Sequence, residues 1–147
     1  MIATLLRIAQ TKQIIGSEKF PSVGKDRLAY FCWMWGWRMI AGAIGLMGVV
    51  GATLYAHARP IPALGQAAYM ALFHAPVLLW LSDRRGKDLL STLVLLMLSA
   101  GVLIFSGSIY LKYLGGVERA TMIAPAGGTL LILGWAGLLV RAVKKWD

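Results

Sequence analysis

The chain has 147 residues, of which 59% are hydrophobic and only 14% charged, and its mean hydropathy is +0.69. A soluble domain of this length is about one-quarter charged, so the composition excludes an ordinary soluble fold and indicates an all-α integral membrane bundle. The net charge of +9 does not indicate nucleic-acid binding, because the basic residues flank apolar blocks as in membrane helices.

Residues 1–30 precede the first apolar block and form an N-terminal extension. No acidic residue occurs before Glu18, and apolar residues such as Ile2, Leu5 and Ala9 recur at helical spacing. The pattern is typical of a mitochondrial targeting segment or of an amphipathic helix in the membrane interface. A cleavable presequence is removed from the mature protein, whereas we expect this segment to be retained as an interfacial or partner-bound helix.

Four apolar blocks follow, and each is long enough to cross a bilayer as a helix. The predicted spans are residues 31–56, 64–82, 89–113 and 121–143. Short turns and one charged loop separate them. We therefore predict that residues 31–147 form one domain of four transmembrane helices.

The charges predict the orientation of this bundle. Twelve of the fifteen Lys and Arg residues lie near the N-terminus, in the loop after the second span, or at the C-terminus; the other three are Arg59, Lys112 and Arg119. With four spans, those twelve residues share one side of the membrane. By the positive-inside rule, both termini are expected in the matrix of a mitochondrion, or in the cytoplasm for a bacterial inner-membrane protein.

Glycines mark the first span. Gly42, Gly45, Gly48 and Gly51 recur at a spacing of three residues. Stripes of small residues allow the backbones of membrane helices to approach closely. The pattern predicts a helix-packing face on this span.

Two histidines are the candidate polar groups within or beside the membrane. His74 lies near the middle of the second span, and His57 lies at the turn that follows the first span. Intramembrane ionisable residues are the first place to seek function, so His74 is a candidate proton relay or cofactor ligand. The alternative, which we favour, is a neutral imidazole bonded to a carbonyl or hydroxyl group across the bundle. No metal site is expected from a single cysteine and two separated histidines, and no catalytic set is recognisable in the sequence.

Spans three and four carry two motifs, FSGSIY at 105–110 and IAPAGGTLLILGW at 123–135. Counting equal distances from the turn between them places both motifs at similar depth in an antiparallel hairpin. The residues predicted to pack there are Ser106, Gly107, Ser108, Pro125, Gly127 and Gly128. Gly128→Leu is therefore expected to disrupt the contact between these spans.

Pro125 has two interpretations. Inside a helix it would release the Thr121 carbonyl for a bond from a serine or from Thr129. In the first helical turn its missing N–H would cost nothing.

The paired motifs resemble the signature of a family of small membrane proteins known as domain of unknown function 423, and the APAGGTLLxLGW run is most similar to its eukaryotic branch. Ala56-His57 and Phe73-His74 match histidine positions typical of the family, whereas Tyr55 stands where a small residue is usual. The resemblance covers about residues 40–143 and implies a four-helix membrane bundle. It implies no reaction.

The sequence therefore favours a non-catalytic accessory subunit of a larger membrane complex, most simply a mitochondrial respiratory-chain complex or supercomplex. Other membrane subunits and membrane lipids are the expected partners, and a bound phospholipid such as cardiolipin is the expected non-protein component. Two alternatives stay open: a small transporter or proton-conducting protein that uses His74, and a free-standing bacterial inner-membrane protein.

Overall fold

A computed structural model describes residues 25–58, 60–83 and 89–144. These residues divide between two units, one that ends at Trp33 and one that begins at Met34. The described part of the first unit is the beginning of helix α1, and the second unit contains the helical bundle. The predicted interfacial helix falls mostly within residues 1–24, outside the described residues, and stays a prediction.

The described residues form four long α-helices and one short 3₁₀ helix. The α-helices are α1 (Lys25–His57), α2 (Pro62–Ser82), α3 (Leu89–Tyr113) and α4 (Ala124–Lys144), and the 3₁₀ helix (Glu118–Ile123) precedes α4. Within the described part of the chain, four segments are long and apolar enough to cross a membrane. The prediction of an all-α membrane protein with four spans is confirmed, although α1 begins six residues before the predicted first span.

The ends of the helices follow from local chemistry. Pro62 occupies the start of α2, after Ile61 in an extended conformation, and proline suits this position because the first helical N–H groups have no intrahelical partner. After α3 the chain turns through Gly116, whose φ of 71° is left-handed and is readily adopted by glycine.

The beginning of the fourth span differs from the prediction. The 3₁₀ helix covers its first residues, and the N–H group of Ala124 donates to the Thr121 carbonyl. Pro125 is the second residue of α4, and its carbonyl accepts a 3.0 Å hydrogen bond from the Thr129 hydroxyl. Of the two interpretations of Pro125, the structure supports the one in the first helical turn.

Helices α1 and α2 pack antiparallel, at closest approach through Gly48. A Cβ atom placed on Gly48 would lie 2.9 Å from the backbone nitrogen of Leu72 and 3.1 Å from the Ala68 carbonyl oxygen. The two backbones therefore touch there. The neighbouring pairs follow one register: Tyr55 with Gly65, Gly48 with Leu72, Gly45 with Ala75, and Arg38 in a salt bridge with Asp83.

Helices α3 and α4 form the predicted antiparallel hairpin. A Cβ atom on Gly127 would lie 2.5 Å from the Phe105 nitrogen and 2.8 Å from the Gly101 carbonyl oxygen. Farther along, Gly134 faces Leu98 and Gly137 faces Val94. Glycine at these positions lets the two helices lie side by side with little space between their backbones.

The centre of the bundle is the α2–α3 pair. In an 18-residue apolar stretch of α2, 50% of the residues are buried, and in the corresponding stretch of α3 the share is 44%. The share is only 22% in α1 and 17% in Glu118–Val143. Most core residues accordingly come from α2 and α3, while Ala41 and Ile44 join from α1 and Leu131 joins from α4. Helices α1 and α4 flank this pair and leave most of their apolar surface exposed.

Candidate functional site

His74 lies in the middle of α2, buried against α4. Its side chain is 4% exposed, and its Nδ1 atom is 2.7 Å from the carbonyl oxygen of Met70, one turn earlier in the same helix. Its Nε2 atom is 3.1 Å from the indole Nε1 atom of Trp135 on α4. The imidazole therefore links the second and fourth helices near mid-membrane.

The two partners determine the tautomer of His74. A carbonyl oxygen only accepts hydrogen bonds, so Nδ1 carries the proton and donates to Met70. An indole N–H only donates, so Nε2 is unprotonated and accepts from Trp135. Both ring nitrogens are used by the neutral imidazole.

An apolar groove opens beside His74, between α2 and α4. Its volume is about 570 Å³, and Phe105 of α3 contributes to its lining. We call this the α2–α4 groove, defined by Met70, His74, Phe105, Gly128, Leu131, Ile132, Trp135, Ala136 and Leu139. Pockets of this size and apolar character are typical of small-molecule sites.

A second hollow of about 410 Å³ lies along the outward face of α2. We call it the Gln66 hollow, defined by Pro62, Gln66, Tyr69, Met70 and Phe73. Met70 lines both hollows, and the ring centroids of Phe73 and Trp135 are 6.4 Å apart. The two hollows therefore adjoin along one side of the bundle.

Neither predicted serine bonds to α4, the helix that the sequence pairs with them. The Ser106 hydroxyl is fully buried and donates a 2.8 Å hydrogen bond to the Ala67 carbonyl of α2. Ser108 donates within α3, to the Phe105 carbonyl at 2.8 Å. Ser106 therefore joins α3 to α2 and does not serve the turn around Pro125.

The predicted packing glycines fall into two groups. Gly45, Gly48, Gly51 and Gly127 face another helix, Gly45 at an ordinary 3.4 Å from the Ala75 Cβ atom. Added Cβ atoms at the other three would meet no described atom within 4 Å; these are Gly42, Gly107 and Gly128. Neighbours in sequence lie on different sides of a helix, and hence Gly127 packs against α3 while Gly128 opens into the α2–α4 groove. The expectation that Gly128 holds spans three and four together is corrected.

His57 has a different environment from His74. It is the last residue of α1 and is exposed, at the end of the helix where a membrane interface is expected. Nearby on the same expected side, Lys112 lies 3.5 Å from the Glu118 carboxylate. His57 is thus on the surface, while His74 is enclosed in the bundle.

Sequence reasoning missed the residues that complete these contacts. Trp135 lies in the motif at 123–135, and counting helical turns places it near mid-span like His74, but the motif by itself does not identify the indole as the partner of the imidazole. Gly101, which approaches Gly127 and Leu131, was also missed as a packing residue between helices. Gly51, the last glycine of the predicted stripe, faces the Tyr110 hydroxyl. The Tyr110 hydroxyl donates to the Met47 carbonyl at 3.3 Å and thereby joins α3 to α1.

Comparison with known proteins identifies a family and a bacterial relative. The sequence model of a family described as a protein of unknown function (DUF423) matches residues 41–128. A UPF0382 membrane protein of Staphylococcus aureus is 38% identical over 48 residues, which are 33% of this chain and 39% of the relative. The matched part therefore spans less than half of that relative's length. No solved structure matches this chain.

Proposed function

This chain belongs to the DUF423 family of proteins of unknown function, and we propose that it is a non-catalytic membrane protein that packs against other membrane-spanning subunits. The curated relative is named only as a membrane protein, so the argument for this role comes from the residues of the chain itself. The membrane character is supported by that relative and by the four apolar helices.

The observation that carries the proposal is the bonding of His74. Both of its nitrogens are used, by Met70 in its own helix and by Trp135 in α4. A general base or a metal ligand needs a free nitrogen lone pair, and here that lone pair accepts the indole hydrogen bond. The most promising group for intramembrane chemistry is thus a structural link, which supports a scaffold role.

The exposed face of α1 is the surface we assign to a protein partner. Trp35 is 51% exposed and Met39 is 69% exposed, and Gly42 is open to its surroundings. Aromatic residues and methionine are enriched at protein interfaces, and an open glycine permits close approach of another helix. This gives Gly42 the packing role that it lacks within the described part of the chain.

We further propose that the partner is a respiratory-chain complex or supercomplex of the mitochondrial inner membrane, with both termini of the chain in the matrix. The basic N-terminal segment without an early acidic residue supports this location. The Staphylococcus relative favours the alternative of a bacterial inner-membrane protein with cytoplasmic termini.

Native electrophoresis in mild detergent, followed by mass spectrometry, tests the proposal. We expect the chain to migrate with larger membrane proteins, and we expect Gly42→Leu to release it from them. Migration of the wild-type chain as a single small species would reject the subunit role. Co-migration with membrane proteins outside the respiratory chain would reject only the assignment to that chain.

A second candidate is a small transporter or proton-conducting protein, because the α2–α4 groove opens against His74. Proton or solute flux in proteoliposomes that depends on His74 would support it. If His74→Ala leaves the flux unchanged, this candidate is rejected.

A further inference from the structure

We propose that the α2–α4 groove binds one acyl chain of a glycerophospholipid whose glycerol and headgroup lie at the Gln66 hollow. This site is separate from the α1 face assigned to a protein partner. Lipid binding in the groove would therefore hold whether or not the chain is a subunit of a complex.

The lining of the groove selects a hydrocarbon. Seven of its nine residues are aliphatic, Phe or Gly, and the polar atoms of the other two, His74 and Trp135, bond to each other and to Met70. A polar group of a ligand would find no unused hydrogen-bond partner on these two rings. Burying such a group without a hydrogen bond costs free energy in an apolar site. An unbranched apolar chain has no such requirement.

The length of the groove fits one lipid chain. Along α4 the groove extends from Gly128 to Leu139, which is roughly 16 Å at the helical rise of 1.5 Å per residue. One leaflet of a bilayer contributes about half of a hydrocarbon core of ~30 Å. An acyl chain therefore covers the groove along most of its length.

The adjoining Gln66 hollow supplies the polar end. Gln66 and Tyr69 are both exposed, and Gln66 lies four residues after Pro62, or about 6 Å along the helix from its start. The Gln66 amide and the Tyr69 hydroxyl can donate hydrogen bonds to the ester carbonyls of a glycerophospholipid, which only accept. The polar hollow followed by the apolar groove matches the polar end and the acyl chain of such a lipid. Met70 lines both the hollow and the groove.

Gly128 and Ala136 keep the groove open. Gly128 has no described neighbour within 4 Å of an added Cβ atom, and Ala136 is exposed. Larger side chains at these positions would occupy the space of the acyl chain without entering the α3–α4 contact. Gly42, on α1, is an equally open helical glycine outside the groove and provides a matched control.

The test is photolabelling of the purified full-length chain in phosphatidylcholine vesicles. The probe is a phosphatidylcholine with a diazirine near the end of one acyl chain, and labelled peptides are identified by mass spectrometry. We expect labelling to concentrate at Gly128–Leu139, and both Gly128→Leu and Ala136→Phe to reduce it by roughly tenfold, the low end of the effect of a steric misfit in an apolar pocket. Gly42→Leu is expected to leave this labelling unchanged.

Two results would overturn the proposal. The first is uniform labelling of all exposed helix faces, unaffected by both groove substitutions in variants that keep the wild-type helical content and elution volume. The second is labelling of the groove by a photoreactive polyisoprenoid but not by the phosphatidylcholine probe, which would assign the site to another lipid class. Neither result depends on native-gel migration, so failure of this proposal is distinguishable from failure of the subunit role.

Discussion

The hydrogen bond from Trp135 to His74 is the residue-level contact that orients α4 on α2. The ring centroids are 6.0 Å apart and the rings meet edge to face, so the indole contributes both a donor and an apolar surface. The Met70 carbonyl holds the imidazole in the tautomer that can accept this bond. Three groups on two helices thus depend on one tautomer of the imidazole.

Trp135→Phe is predicted to weaken this contact while preserving an aromatic ring. It removes the donor to His74 Nε2, and the hydrogen bond contributes about 0.6–2 kcal/mol, as is usual between membrane helices. The measurement is the free energy of unfolding in detergent by denaturant titration. A double-mutant cycle with His74→Phe isolates the pair, and a coupling energy of zero would contradict the assigned bond.

At the scale of elements, two adjacent glycines in α4 have different roles. Gly127 lies against the backbone of α3, whereas Gly128 faces the groove. The motif at 123–135 was predicted to form one packing surface, but it contributes to two. Gly127 packs against α3, and Gly128 borders the groove that we assign to an acyl chain. The sequence places both glycines at the right depth, but only the rotation of the helix distinguishes them.

Gly127→Ala is predicted to separate α3 from α4, because the new methyl would approach the Phe105 nitrogen and the Gly101 carbonyl oxygen to less than 3 Å. Overpacking of this kind costs about 1–3 kcal/mol. Gly128→Ala is the matched control and is expected to be neutral or to stabilise the helix by up to ~1 kcal/mol. Thermal denaturation in detergent compares the two. Equal destabilisation by both changes would contradict the assigned rotation of α4.

At the scale of the whole molecule, the helices alternate in direction through antiparallel packing of α1 with α2 and of α3 with α4. The Arg38–Asp83 salt bridge joins α1 and α2 at the end expected to face the matrix or cytoplasm. Both side chains are substantially exposed, so this bridge contributes little to stability. It neutralises a charge close to the apolar part of α1.

Four spans predict that both termini lie on the same side of the membrane. Tags at the N- and C-termini of the full chain should become accessible to protease under the same conditions, in sealed vesicles of one orientation. By the positive-inside rule, the concentration of Lys and Arg on that side predicts that it is the matrix or the cytoplasm. Access to the two tags from opposite sides would show that one predicted span does not cross.

The sequence by itself determined the membrane class, the number of spans, the antiparallel α3–α4 hairpin and the mid-membrane depth of His74. These properties depend on hydropathy and on distance along a helix, and both follow from the order of residues in the chain. Only the tertiary structure decided that Trp135 is the partner of His74, that Ser106 bonds to α2, and that Gly127 packs while Gly128 borders a groove. Those outcomes depend on the rotation of each helix about its axis. In a helix that is apolar on every side, hydropathy does not indicate which face is buried, so contacts between neighbouring helices set the rotation.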